Sequence, residues 1–222
     1  MRQQLAATSA TGSWSHEGAA AVASGTDAPP ALLCAGGAVA VAAAVADGCR
    51  DAPWQASASD PRVADVRASR LAAARAVALL GHDDAYLRPE PRGHGVAVSV
   101  SHRAGRGAAI AARAGSGLLV GVDLELDVPM PPARARYFLS AAERADAGGR
   151  RDLATLWALK EAAWKALRLD DATPFHALEL GLDRAGDLRT VSLCGRPRRA
   201  GARVLAPWPG FVLAALWVED AP

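Results

Sequence analysis

Apolar and polar positions alternate with two different periods along the chain, which predicts a mixture of strands and helices. Between residues 95 and 101, valines alternate with small or hydroxyl-bearing residues, as in a strand with one buried face. The turn at 103–107 and the apolar run at 108–112 complete a predicted β-hairpin. Further strands are predicted at 37–47, 118–126, 177–182, 188–193 and 211–218.

A first helix is predicted at 62–80, opened by Asp60-Pro61 and stopped by Gly81. Its apolar face is predicted from spacings of three and four: Val63, Val66, Arg70, Ala73, Val77 and Leu80. Arg70 therefore falls in the middle of that face. Two interpretations remain open: a structural arginine that snorkels or meets a buried carboxylate, and a cation held at the edge of the core to bind a phosphate.

A second helix is predicted at 152–169, with an apolar face that contains Trp157 and Trp164. Glu161 and Lys165 are four residues apart and share the flank of this face. An ordinary surface ion pair is one interpretation, but the two tryptophans favour a half-buried flank. Lys160 falls on the apolar face itself, which is unusual for a lysine unless its ammonium reaches a partner.

Composition narrows the class of protein. The 222 residues carry 25 basic and 23 acidic side chains, a net charge of +2, which argues against a polybasic nucleic-acid-binding protein. The uncharged stretch 28–46 is mainly Ala and Gly and begins with two prolines, so no membrane segment is predicted. Cys34, Cys49 and Cys194 have no metal-ligand spacing and are predicted to be buried in a reducing compartment. We therefore expect a cytoplasmic protein.

The stretch Gly121-Val122-Asp123-Leu124-Glu125 places carboxylates on one face of a predicted strand. Asp123, Glu125 and Asp127 alternate with apolar residues, so neighbouring carboxylates lie about 7 Å apart. Taken alone, the pattern fits best the solvated face of an edge strand. The alternative is a site for a hard cation such as magnesium, which binds carboxylate oxygens, water and substrate phosphate.

A Ser-His pair, Ser101-His102, ends the predicted strand before the carboxylate motif and is weak evidence by itself. In order and spacing, however, Ser-His, Gly-Val-Asp-Leu-Glu and Trp157-x-x-Lys160-Glu161-x-x-x-Lys165 form a pattern. The Phe138-Leu139-Ser140-x-x-Glu143 segment, which lies between the last two motifs, belongs to the same pattern. Together they resemble the 4′-phosphopantetheinyl transferase superfamily, specifically its surfactin-synthetase-activating type, over about residues 63–218.

The resemblance implies a fold and a division of the chain. It implies an α+β fold of two similar α/β halves related by a pseudo-twofold axis, with the active site in the cleft between them. The halves would be residues 31–117 and 118–222. Residues 1–30, low in complexity, are predicted to be poorly ordered.

The resemblance also implies a reaction. Such enzymes transfer the 4′-phosphopantetheine group of coenzyme A to a serine of an acyl or peptidyl carrier protein, with magnesium, releasing adenosine 3′,5′-bisphosphate. Asp123, Glu125 and Glu161 would bind the metal, and Glu161 would also be the base. Lys165 and Lys160 would contact coenzyme A, and Ser101 with His102 would line its nucleotide end.

Some expectations extend beyond the motifs. The Gly-Lys-Pro of many relatives is replaced here by Arg92-Gly93-His94-Gly95, so the donor to the nucleotide in this stretch is Arg92 or His94, or is absent. Arg70 or Arg67 is a candidate for the missing phosphate contacts. We expect a monomer whose partners are coenzyme A and a carrier protein of fatty-acid, polyketide or peptide synthesis, with no nucleic acid or membrane. The alternatives are a non-catalytic homologue that binds coenzyme A or a carrier protein, and a metal-dependent nucleotide phosphohydrolase.

Overall fold

Two antiparallel sheets, each crossed by one long helix, form the fold in a computed structural model. It describes residues 31–35, 38–47, 61–82, 95–146 and 152–220. The strands are β1 (Ala31–Ala35), β2 (Ala38–Asp47), β3 (Val96–Arg103), β4 (Arg106–Arg113), β5 (Leu118–Leu126), β6 (Leu178–Leu182), β7 (Leu188–Leu193), β8 (Arg196–Leu205) and β9 (Phe211–Glu219). The helices are α1 (Pro61–Leu79), α2 (Ala135–Phe138), α3 (Ala141–Asp146) and α4 (Leu153–Ala166).

The first sheet has the strand order β1-β2-β4-β3 and confirms the predicted hairpin. β3 and β4 are joined by Ala104 and Gly105, both with positive φ, which is the geometry of a tight hairpin turn. β2 agrees with the strand predicted at 37–47, whereas β1 was not predicted. α1 packs across β2, β3 and β4.

The apolar face predicted for α1 is confirmed at its end, where Val77 and Leu80 are buried, and is wrong in its first half. Val63 and Val66 are 39% and 43% exposed, and Arg70 is also exposed. The buried face is a row of alanines four residues apart, at 64, 68, 72 and 76. Their small side chains let α1 lie close to β4, where a Cβ added to Gly107 would overlap the backbone of Ala68. In the first half of α1, the face with the smallest side chains is therefore the buried one, because it allows the closest approach to β4.

The second sheet has the strand order β5-β9-β8-β7-β6 and is crossed by α4. β8 was not predicted because four arginines and a proline interrupt its apolar pattern. Asp152 is the N-cap of α4, and its carboxylate accepts a hydrogen bond from the Thr155 backbone N–H at 2.8 Å. The helix ends three residues earlier than predicted.

The two sheets meet where β3 lies beside β5. β5 is an edge strand of its own sheet, and hydroxyls on β3 bind its outward N–H groups. Ser99 Oγ accepts from Val122 N and Ser101 Oγ accepts from Leu124 N, both at 3.2 Å. The edge is therefore covered, which contradicts the solvated edge strand favoured by the carboxylate pattern alone.

The α+β class is confirmed, and the two sheets with their helices are similar in build. The division at residue 117 and the cleft between the halves stay predictions, and residues 1–30 and Arg92–His94 lie outside the described residues. Cys194 is exposed in the turn between β7 and β8, so its predicted burial is wrong. Within the described part of the chain, no helix has the length and apolarity needed to cross a membrane.

Candidate functional site

Gly121 brings α4 against the strand that carries the predicted carboxylates. A Cβ at this position would overlap the carbonyl oxygen of Ala162 and lie 2.7 Å from the Ala166 backbone nitrogen. Only a residue without a side chain permits this approach. The glycine of the Gly-Val-Asp-Leu-Glu motif therefore sets the distance between β5 and the helix that carries Glu161 and Lys165.

Asp123 and Lys165 meet across this contact. Lys165 Nζ lies 2.7 Å from Asp123 Oδ1, and the aspartate side chain is 6% exposed. Ser101 donates a hydrogen bond from its hydroxyl to the same Oδ1 atom at 3.0 Å. Strand β3, strand β5 and helix α4 thus each contribute one side chain to a buried polar cluster, which we call the Asp123 cluster.

The hydrogen-bonding capacity of two members of the Asp123 cluster is fully used. Besides Asp123, the Lys165 ammonium donates to Ser101 Oγ at 3.2 Å and to the Val122 carbonyl at 3.1 Å. The Ser101 hydroxyl donates once and accepts twice, from Lys165 and from Leu124 N. Ser101 therefore has no donor or acceptor left for a nucleotide, which argues against the contact predicted for it.

Glu125, two residues along β5, is held from both sides. Trp157 on α4 donates from Nε1 to Glu125 Oε1 at 3.2 Å, and Arg103 Nε lies 3.5 Å from Oε2. Trp157 also stacks on Phe175, whose other face packs on Trp164 at 4.3 Å between ring centroids. The tryptophans pack as predicted, but Trp157 also orients a predicted metal ligand. Sequence reasoning missed Arg103 and Phe175.

Glu161 is electrostatically coupled to the same carboxylates. Partial burial raises the pKa of Glu161 above 4.5, and repulsion from Asp123 and, more weakly, Glu125 adds to the effect. Lys165 opposes the shift. A carboxylate whose proton is bound more tightly is a better base near neutral pH.

One carboxylate oxygen of the Asp123 cluster is suited to bind a cation. Asp123 Oδ2 is buried and accepts no hydrogen bond from the described residues. A buried carboxylate oxygen is costly without a hydrogen bond or a cation. The three carboxylates are oxygen donors of the kind magnesium prefers. Among the described residues, however, no three His, Cys, Asp or Glu side chains lie close enough together to form a metal site.

Lys160 lies elsewhere, and its burial argues against the contact with coenzyme A that the resemblance implies for it. Its side chain is fully buried, and its ammonium lies 2.7 Å from Glu143 Oε2 and donates to the Leu178 carbonyl. Glu143 also accepts from Leu180 N at 2.8 Å and forms a capping box with Ser140 at the start of α3. Lys160 therefore ties α4 to α3 and β6.

His102 and Arg70 lie outside the Asp123 cluster. His102 is half exposed at the end of β3, with Nδ1 3.4 Å from Asp65 Oδ2 on α1. Asp65 also accepts from Gly105 N in the hairpin turn at 2.6 Å. Asp65 was missed because its sequence neighbours carry no motif. Arg70 is exposed on α1, so its guanidinium is solvated and requires no buried anionic partner; the predicted phosphate contact stays a prediction.

Comparison with known proteins finds similarity over part of this chain. Residues 119–212 match the model of the 4′-phosphopantetheinyl transferase superfamily, which includes β5, α4 and the start of β9. The solved structure of Thermotoga maritima holo-[acyl-carrier-protein] synthase is 20% identical over 47% of this chain, with a TM-score of 0.34. The alignment spans 65% of that synthase. No curated protein matches the sequence.

Proposed function

We propose that this chain transfers the 4′-phosphopantetheine group of coenzyme A to a serine of an acyl or peptidyl carrier protein, in a magnesium-dependent reaction that releases adenosine 3′,5′-bisphosphate. The observation that carries the proposal is the Asp123–Lys165 pair within the matched residues 119–212, where a buried carboxylate with one oxygen that accepts no hydrogen bond from the described residues lies beside a lysine. Glu161 is electrostatically coupled to this pair. We further propose that the enzyme is a cytoplasmic monomer of the surfactin-synthetase-activating type.

Asp123, Glu125 and Glu161 are the residues that would hold the magnesium ion. A bound magnesium ion supplies positive charge to the phosphate oxygens. Asp123 Oδ2 faces no donor among the described residues, so it is the oxygen best suited to a cation. Glu125 is already oriented by Trp157 and Arg103, which reduces the loss of side-chain freedom on binding.

Glu161 and Lys165 have distinct chemical roles in the proposed reaction. Glu161 accepts the proton of the carrier serine hydroxyl as oxygen attacks the phosphorus that bears the pantetheine arm. The bond to the other phosphate breaks, and adenosine 3′,5′-bisphosphate leaves. Lys165 is the cation nearest Asp123, and its positive charge stabilises the charge that develops on phosphate.

The test is transfer of label from coenzyme A to a panel of apo-carrier proteins from fatty-acid, polyketide and peptide synthesis. We expect labelled holo-carrier protein when magnesium is present, and no labelled carrier protein when a chelator has removed the magnesium. Asp123→Ala should reduce the rate at least 100-fold, since a metal ligand is removed. As a matched control, Asp127→Ala on the same strand face, exposed beyond β5, should leave the rate within twofold.

The alternatives predict different results in the same assay. A non-catalytic homologue binds coenzyme A without labelling any carrier protein. A nucleotide phosphohydrolase releases phosphopantetheine when no carrier protein is present. Either result, obtained with folded wild-type protein, refutes the proposal.

A further inference from the structure

Lysine is rare in this chain, and both lysines lie on α4. Of the 25 basic residues only Lys160 and Lys165 are lysines, and each ammonium lies 2.7 Å from a carboxylate oxygen, of Glu143 and of Asp123 respectively. The two pairs differ in exposure, because the side chain of Lys160 is fully buried whereas that of Lys165 is 31% exposed. Lys165, unlike Lys160, can therefore change its partner without unpacking the core.

The contact with Asp123 is the strongest of the three that the Lys165 ammonium makes. It joins opposite charges at 2.7 Å, whereas Ser101 Oγ and the Val122 carbonyl are neutral acceptors at 3.2 and 3.1 Å. Hydrogen bonds between ionised groups are shorter and stronger than those to neutral acceptors. All three ammonium hydrogens are used. Lys165 can therefore bind a further anion only when its contact with Asp123 weakens.

Asp123 has a second oxygen at which a cation can compete with Lys165. Oδ2 is buried and accepts no hydrogen bond from the described residues, while Oδ1 is in contact with the ammonium. A divalent cation on Oδ2 and an ammonium on Oδ1 would share one carboxylate and repel each other. Solvent screens this repulsion poorly, because the aspartate side chain is 6% exposed. Lys165 and a divalent cation therefore compete for the charge of Asp123.

We infer that Lys165 leaves Asp123 when a divalent cation binds to Oδ2. The inference rests on the proposed function, and it adds that metal binding frees the ammonium that stabilises the phosphate. Lys165 also lines a crevice of about 160 Å³ between β3, β5 and the end of α4, so the released side chain adjoins open space. Because coupling between two bound groups is reciprocal, Lys165 in turn weakens the binding of magnesium in the absence of coenzyme A.

The first test uses the wild-type protein. A trace of acetic anhydride acetylates accessible amines, and mass spectrometry of the peptides gives the rate at each lysine with and without magnesium. We expect the rate at Lys165 to rise about fivefold or more, the lower end of typical coupling between sites. Lys160 is the internal control and should stay unreactive, since it is fully buried. Sodium chloride at the same ionic strength should change the rate at Lys165 less than about twofold.

The second test is Lys165→Met, with magnesium binding measured by calorimetry in the absence of coenzyme A. Methionine keeps much of the volume and removes the charge, so we expect the dissociation constant for magnesium to fall about fivefold or more. Arg196→Gln removes one positive charge from an exposed position at the start of β8 and is the matched control. It should change the dissociation constant less than about twofold. If Lys165→Met folds only with magnesium, Tm against magnesium concentration replaces calorimetry and should rise more steeply than for the wild type.

Unchanged or slower acetylation of Lys165, in wild-type protein to which calorimetry shows that magnesium binds, overturns the inference. Faster acetylation of both lysines overturns it too, since it indicates a general loosening of α4. Magnesium binding by Lys165→Met that is no tighter than in the wild type is the third result that overturns it. Wild-type protein that binds no magnesium contradicts the proposed function itself.

Discussion

Replacing Lys160 by methionine should strongly destabilise the protein while leaving coenzyme A binding intact. Methionine has a similar length and fills the same space without the ammonium. Burial lowers the pKa of Lys160, and Glu143 opposes that shift, so the charge depends on its partner. The variant leaves the Glu143 carboxylate, only 10% exposed, without a counter-ion.

The magnitude follows from this uncompensated charge. Removing one partner of a buried ion pair costs about 3–5 kcal/mol. For a protein of this size each kcal/mol lowers Tm by roughly 2–4 °C, which gives a decrease of about 6–20 °C. The double variant Lys160→Met with Glu143→Gln should recover much of the loss, because no buried charge remains unpaired.

Urea unfolding followed by circular dichroism measures the free energy of unfolding of the wild type, both single variants and the double variant. Coenzyme A affinity is measured at a temperature where each protein is folded, and it should change less than twofold for Lys160→Met. A loss of stability below about 1 kcal/mol would refute the assignment of a buried ion pair. A large loss of affinity in the folded variant would restore the ligand role first predicted for Lys160.

Two further variants test the Asp123 cluster. Ser101→Ala removes the donor to Asp123 and leaves the buried Leu124 N–H without its acceptor, so we expect the free energy of unfolding in urea to fall by about 1–3 kcal/mol. A decrease in transfer rate with unchanged affinity for adenosine 3′,5′-bisphosphate would show a positioning role. Unchanged stability would contradict the hydrogen bonds. Glu161→Gln should lower kcat about 100-fold or more. In the folded protein the pKa of Glu161 is raised above 4.5, so ionisation of Glu161 lowers the free energy of unfolding as pH rises through that pKa. Glu161→Gln should therefore be more stable than the wild type at neutral pH, and this difference in stability should vanish as pH falls towards 4.5. A difference in stability that is the same at both pH values would argue against the shift.

Periodicity alone was enough for the elements whose faces differ strongly in polarity. The strand 118–126, the β3–β4 hairpin and the helix that carries Glu161 were all predicted from the sequence, because alternation and helical spacing mark their faces locally. The motifs within them also named Asp123 and Lys165, which the structure brings into contact. β8 was missed because an exposed arginine-rich strand lacks that alternation.

Only the tertiary structure decided which polar side chains became buried and what they contact. Arg70 is exposed because alanines, which carry little hydrophobic signal, allow the closest helix–sheet approach. Lys160 is buried because Glu143, on a different helix, supplies its counter-charge. Ser101 faces Asp123 because two sheets meet edge to edge there. A sequence pattern reports the polarity of one element, whereas burial, partners and pKa depend on distances between elements that lie far apart in the chain.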